Sequence, residues 1–158
     1  MHLYFAAPLF AQSERMFNEH VVQTIRTTYP EHTIYLPQEN VAINDKEAYA
    51  DSQMIALADT AEIKKSQLMV AVLDGLTIDP GVASEIGVAY ALGIPVLGLY
   101  TDTRQLGATH PKKLAALQII GENQFHYLNL YTVGLIKRNG DVYSSIPHLV
   151  TGLTHYLT

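Results

Sequence analysis

A chain of 158 residues is long enough to bury a real hydrophobic core and short enough to form one domain spanning residues 1–158. Hydrophobic residues make up 48% and charged residues 16%, which excludes a disordered chain. The net charge of −5 without a basic stripe argues against a nucleic-acid partner, and the lack of cysteine excludes disulfides, thiolate catalysis and cysteine zinc sites.

Met1-His2 runs straight into Leu3-Tyr4-Phe5-Ala6-Ala7, which lacks the basic start and the length of a signal-peptide core. No apolar run approaches the roughly 18 residues that span a bilayer. A cytoplasmic protein with no membrane partner is expected. Leu3–Ala7 reads as a first buried strand stopped by Pro8. Phe10–Thr28 follows with apolar residues at helical spacing (Phe10, Phe17, Val21, Val22, Ile25), and Pro30 lies just beyond its end.

His32–Leu36 is β-rich and stopped by Pro37, and the polar stretch Gln38–Asp45 reads as a loop. Lys46–Lys65 is again helical in its spacing, and Leu68–Leu73 is a continuous apolar run, the third strand. A helix is predicted over Pro80–Leu92 with Gly93 as a left-handed cap, then a fourth strand over Ile94–Tyr100. Thr101–Thr109 is a polar loop, and His110-Pro-Lys-Lys-Leu begins another helix. Gln124–Leu128 is the expected fifth strand, with helices near Asn129–Lys137 and Ser145–Leu157. Alternating strands and helices imply parallel βαβ units with right-handed crossovers, an α/β doubly wound sheet. Ligands of such sheets bind beyond the carboxyl ends of the strands, where strand order reverses.

The chemistry concentrates after the third strand, in Asp74-Gly-Leu-Thr-Ile-Asp79-Pro-Gly81-Val-Ala-Ser-Glu85-Ile-Gly-Val-Ala89. Three carboxylates stand there where desolvation is costly. Asp79-Pro80 fits a helix start, with the aspartate capping free amides and proline at the first helical position. Glu85 lies on one helix face between Gly81 at i−4 and Ala89 at i+4, small neighbours that leave a groove beside it. The acidic turn disfavours a phosphate cradle, and neither a GxGxxG nor a P-loop pattern is present. The seven histidines are scattered without a ligand pair, so no metal and no cofactor is expected. Carboxylate chemistry at a sugar carbon remains: one acid attacks the anomeric carbon and a second protonates the leaving group.

From Tyr4 to about Gly134 the chain resembles the nucleoside 2-deoxyribosyltransferase family, most specifically in Asp79-x-Gly-x-x-x-Glu85-x-Gly-x-Ala. The resemblance implies a flavodoxin-like fold, a mostly parallel sheet of four to five strands with helices on both faces. It also implies homo-oligomers built from dimers, often hexamers. The implied reaction, part of nucleotide salvage, moves 2-deoxyribose from a deoxyribonucleoside to a free nucleobase, with retention, through a covalent glutamyl intermediate.

By the same resemblance Glu85 is the nucleophile, Asp59 exchanges a proton with the bases, Asp79 lies near sugar and base, and Tyr4 orients Glu85. Phe10 stacks on the base, Gln38 lies in the base-reading loop, and Gly81 leaves room for substrate. Asn129 is lent by a neighbouring subunit to the sugar 5′-hydroxyl, while capping a helix in its own chain. Asp74 is left open between binding substrate and closing its turn. The loop Ala6-Ala7-Pro8-Leu9-Phe10 lacks the serines and arginine of relatives that hydrolyse deoxynucleoside 5′-monophosphates, which favours nucleosides. Two alternatives stand beside transfer: an N-glycosidase acting on (deoxy)nucleosides or their monophosphates, and a nucleoside-binding module without turnover.

Overall fold

The computed structural model of the chain describes residues 1–41, 50–123 and 127–157. In chain order the elements are β1 (His2–Ala6), α1 (Gln12–Thr28), β2 (Thr33–Tyr35), α2 (Ser52–Lys65), β3 (Leu68–Val72) and α3 (Pro80–Ala91). They are followed by β4 (Val96–Leu99), α4 (Pro111–Ala116), α5 (Leu130–Ile136), β5 (Asp141–Tyr143) and α6 (Ile146–Leu153). Short 3-10 turns occupy Pro37–Glu39 and Thr103–Leu106, inside stretches expected to be loop.

Local chemistry sets several boundaries. The Glu14 carboxylate accepts from the amides of Phe10 (2.9 Å) and Ala11 (2.7 Å), so α1 starts at Gln12 and leaves Phe10 in the loop. Asp51 caps α2 by accepting from the Met54 amide at 2.8 Å. The expected helical start at Lys46 falls on 42–49, outside the described residues. Gly93 takes φ +72° after α3, the left-handed turn that a glycine permits.

The five strands among the described residues are all parallel, in the order β2-β1-β3-β4-β5. That is the flavodoxin-like order, and it reverses between β1 and β3. The expected fifth strand at Gln124–Leu128 is corrected. Gln124–His126 lie outside the described residues, Tyr127 and Leu128 are not in a strand, and the fifth strand is Asp141–Tyr143. Three residues at a half-exposed sheet edge carry too little alternation to announce themselves.

Side chains alternate across the sheet. Leu3, Phe5, Leu68, Val70, Leu97 and Leu99 pack against α1 and α6 on one face. Tyr4, Ala6, Met69, Ala71 and Val96 pack against α2, α3 and α5 on the other. Each fully buried leucine-, valine- or isoleucine-sized side chain contributes about 1.5–3 kcal/mol, so β1, β3 and β4 form a rigid floor. No helix among the described residues is long and apolar enough to cross a membrane.

Candidate active site

At the carboxyl ends of β1 and β3, where strand order reverses, lies a cavity of about 320 Å³. The loop after β1 supplies Ala7, Leu9 and Phe10, the 3-10 turn supplies Pro37, α2 supplies Ile55 and Asp59, and the start of α3 supplies Asp79, Gly81, Val82 and Glu85. Its size falls at the small end of the roughly 300–1,000 Å³ usual for small-molecule sites. Among these lining residues three carry carboxylates and none carries a positive charge.

Tyr4 is fully buried in β1 and points to the face covered by α2 and α3. Its hydroxyl donates to Glu85 Oε1 at 2.6 Å, a short charge-assisted bond. Burial, then the charge of Glu85, pushes the Tyr4 phenol far above its ordinary range, so it remains a proton donor in that bond. Glu85 sits half-buried on the inner side of α3. Burial raises its carboxyl to about 7, the Tyr4 bond opposes that rise, and Asp59 and Asp79 add to it. Burial also raises Asp59, one helix away.

Asp79 caps α3 as its sequence suggests, accepting from the Val82 amide at 3.0 Å through Oδ1, with Pro80 at the first helical position. A Cβ on Gly81 would stand 3.0 Å from that same oxygen, so glycine keeps the cavity open beside the cap. Phe10 is 82% exposed and forms the rim. The cavity thus gathers Glu85, Asp59, Asp79, Gly81 and Phe10, with Tyr4 beneath them.

The other expected site residues lie elsewhere in the fold. Gln38 accepts from Asn18 Nδ2 (3.1 Å), donates to the Arg15 carbonyl (3.0 Å) and lines a neighbouring cleft that also meets Phe10. Asp74 is held from outside its own turn: Oδ1 accepts from the amides of Thr101 (2.7 Å) and Asp102 (3.0 Å), and Oδ2 from the Thr101 hydroxyl (2.7 Å). It ties the end of β3 to the loop after β4 and borders a separate cavity near α1. Asn129 is exposed and caps α5, accepting from the Thr132 amide at 3.1 Å.

Sequence reasoning missed the apolar walls. Leu9, Pro37, Ile55 and Val82 shape the cavity. Ile55 was findable, one helical turn before Asp59 and therefore on the same face of α2.

The family model described as nucleoside 2-deoxyribosyltransferase matches residues 3–131, most of the chain. The chain belongs to the nucleoside 2-deoxyribosyltransferase family. This family is one of enzymes acting on nucleosides and nucleobases. A conserved protein from Enterococcus faecalis V583 is 61% identical over 98% of both chains, with a TM-score of 0.93. Two more distant structures share the fold. A 2-deoxyribosyltransferase from Leishmania mexicana is 18% identical over 99% of both chains, TM-score 0.66. A CMP N-glycosidase from Clostridium botulinum is 16% identical over 99% of both, TM-score 0.52. No curated protein matches the chain.

Proposed function

We propose that this protein transfers 2-deoxyribose between nucleobases, with Glu85 as nucleophile. The observation that carries the reading is a half-buried glutamate held by the Tyr4 hydroxyl in a cavity whose charged lining groups, among the described residues, are all carboxylates. In the first step a Glu85 oxygen bonds to the anomeric carbon as the bond from that carbon to the base nitrogen breaks. The base leaves with the electron pair and takes a proton from Asp59, whose carboxyl burial raises above its ordinary value. In the second step an incoming base nitrogen attacks the same carbon, Glu85 is released as carboxylate and the base's proton returns to Asp59. Two inversions give retention. The transition state is oxocarbenium-like, and the carboxylate field of Glu85 and Asp79 stabilises its positive charge.

Asp79 Oδ1 serves the helix, leaving Oδ2 to hold the sugar, and Phe10 on the rim is suited to stacking on the base. The charged lining groups among the described residues are all carboxylates and repel a phosphate, which supports nucleosides over 5′-monophosphates as substrates. Gln38 is assigned to the base side of the cleft. Asn129 is assigned to the sugar 5′-hydroxyl in a neighbouring subunit's site, which requires a dimer-based homo-oligomer. Leu130 at 83% and Tyr131 at 77% exposure, next to Asn129, supply the apolar surface such an interface needs. Asp74, with its carboxylate engaged by Thr101 and Asp102, is assigned to holding the end of β3 to the loop after β4.

Incubation with deoxyinosine, with and without adenine, tests the reading. Deoxyadenosine formed only when adenine is added is the expected result. Hypoxanthine released equally without adenine would replace transfer by N-glycoside hydrolysis, and no reaction would leave a binding module.

The pH profile offers a separate check. Tyr4 stabilises the ionised form of Glu85, so Tyr4→Phe raises the Glu85 titration above about 7. The acid limb of kcat then moves to higher pH and activity at pH 7 falls, by roughly 10- to 100-fold. An acid limb unchanged in Tyr4→Phe would remove Tyr4 from the role assigned to it.

A further inference from the structure

We propose that Tyr35 is a positioning residue for this site, a lateral wall that holds the Tyr4 ring where its hydroxyl reaches Glu85. Tyr35 does not line the cavity, and nothing in its sequence context singles it out. Its placement comes from strand register. In the parallel β1–β2 pair, Tyr4 and Tyr35 are direct partners, so their side chains leave the sheet on the same face. Their ring centroids lie 5.5 Å apart at 29°, a stacked arrangement.

On its other side Tyr4 is in register with Met69 of β3. The ring is therefore held between a buried core methionine and Tyr35. The two sides are not equivalent, because β2 is the edge of the sheet and only three residues long. A wall on an edge strand needs its own anchor. Tyr35 has one: its hydroxyl accepts from Asn40 Nδ2 at 2.8 Å, and the Asn40 amide donates to the Pro37 carbonyl at 3.0 Å, closing the 3-10 turn. The line Asn40, Tyr35, Tyr4, Glu85 thus runs from that turn to the nucleophile through one hydrogen bond, one ring stack and a second hydrogen bond.

A phenol can tilt while its strand stays fixed, and a displacement on the order of 1 Å at a catalytic contact costs up to about 100-fold. Without Tyr35 the Tyr4 hydroxyl loses its fixed approach to Oε1. The groups that face Glu85 are Tyr4 from β1, Asp59 from α2 and Asp79 from the start of α3, while Asp59, Glu62 and Glu85 bear on Tyr35. A neutral substitution at Tyr35 leaves all those charges in place. The direction of any change is therefore informative. A weakened Tyr4 bond raises the Glu85 titration midpoint, whereas water entering a loosened core would lower it.

The test compares Tyr35→Leu, Tyr35→Phe, Tyr4→Phe and the double variant Tyr4→Phe/Tyr35→Leu in the full chain. The Glu85 midpoint is read by NMR with carboxyl-labelled glutamate, without substrate, and kcat and KM are read in the exchange of deoxyinosine with adenine. Tyr35→Leu is expected to raise the midpoint in the direction of Tyr4→Phe and to lower kcat about 10-fold with little change in KM. Tyr35→Phe, which keeps the stacked ring but loses the Asn40 anchor, is expected to lower kcat less than Tyr35→Leu, by about 3-fold. The double variant should match Tyr4→Phe, because the two residues act through one bond. A midpoint unmoved or lowered in Tyr35→Leu, or losses that multiply in the double variant, overturns the assignment. The kinetic readout rests on the proposed transfer reaction, but the titration does not. A wild-type protein without transferase activity would sink that reaction and leave the midpoints to decide the role of Tyr35.

Discussion

Glu85→Gln is expected to abolish transfer while making the protein more stable above neutral pH. Loss of the carboxylate proposed to attack the sugar should lower kcat by several orders of magnitude, as removal of a covalent nucleophile does. The amide can still accept the Tyr4 hydrogen bond and occupies the same volume, so the fold is preserved. Intact-mass measurement during turnover should find a glycosyl adduct on the wild type and none on the variant.

The stability effect follows from the cost of keeping this carboxylate ionised. In the folded state Glu85 titrates near 7 against an ordinary value of 4.5, with burial as the main cause. The native state therefore holds the proton more tightly than the unfolded chain between those values. Stability associated with protonated Glu85 is complete below about pH 4.5 and is lost as pH rises through 7. That interval corresponds to at most on the order of 3 kcal/mol above pH 8, reduced by the partial exposure of the group. Glutamine carries no such penalty. Thermal melts should thus place Glu85→Gln several degrees above the wild type at pH 8 and close to it at pH 5. A wild type as stable as the variant at pH 8 would mean that Glu85 is not held against its preference.

Gly140→Ala is the second large effect, and it acts on the fold. A Cβ at this position would lie 1.8 Å from the Val96 carbonyl oxygen and 2.7 Å from the Val96 carbonyl carbon. Both are backbone atoms of β4, which cannot retreat without breaking its pairing with β3. The alanine must instead drive β5 off the sheet edge. Tyr143 of β5 is also covered by α6, where a Cβ on Gly152 would stand 2.2 Å from its ring, so the displacement spreads to that helix.

The expected cost exceeds about 3 kcal/mol, which lowers the melting temperature by roughly 10 °C or leaves the protein insoluble. Gly87→Ala is the control. It sits within α3, its Cβ would meet nothing within 4 Å, and it should be neutral or stabilising by up to about 1 kcal/mol. If Gly140→Ala melts within about 2 °C of the wild type, the contact between β5 and β4 is not as close as described.

The alternating strand–helix grammar and the helix that carries Asp79 and Glu85 are legible in the residues alone. The apolar runs behind β1, β3 and β4 are long enough to be read as buried strands, and Asp79-Pro80 marks a helix start whatever that helix packs against. Helical geometry then fixes Gly81 and Glu85 on one face, because that relation is local.

Strand order and the meeting of distant side chains are set by long-range packing. The order β2-β1-β3-β4-β5 depends on which strand edges meet, and no single segment encodes that. The position of Asp59 in the lining of the cavity depends on where the crossover packs α2, which no local pattern encodes. Tyr4 is linked to Glu85 in the sequence only by the family resemblance, since its local pattern is that of a strand residue filling the core; the packing of α3 over β1 brings its hydroxyl to Glu85. Tyr35 gains meaning only from register with Tyr4, and β5 only from the edge that β4 leaves open. Local periodicity follows from backbone geometry within a few residues, whereas a shared cavity requires side chains from distant segments to be buried against one sheet.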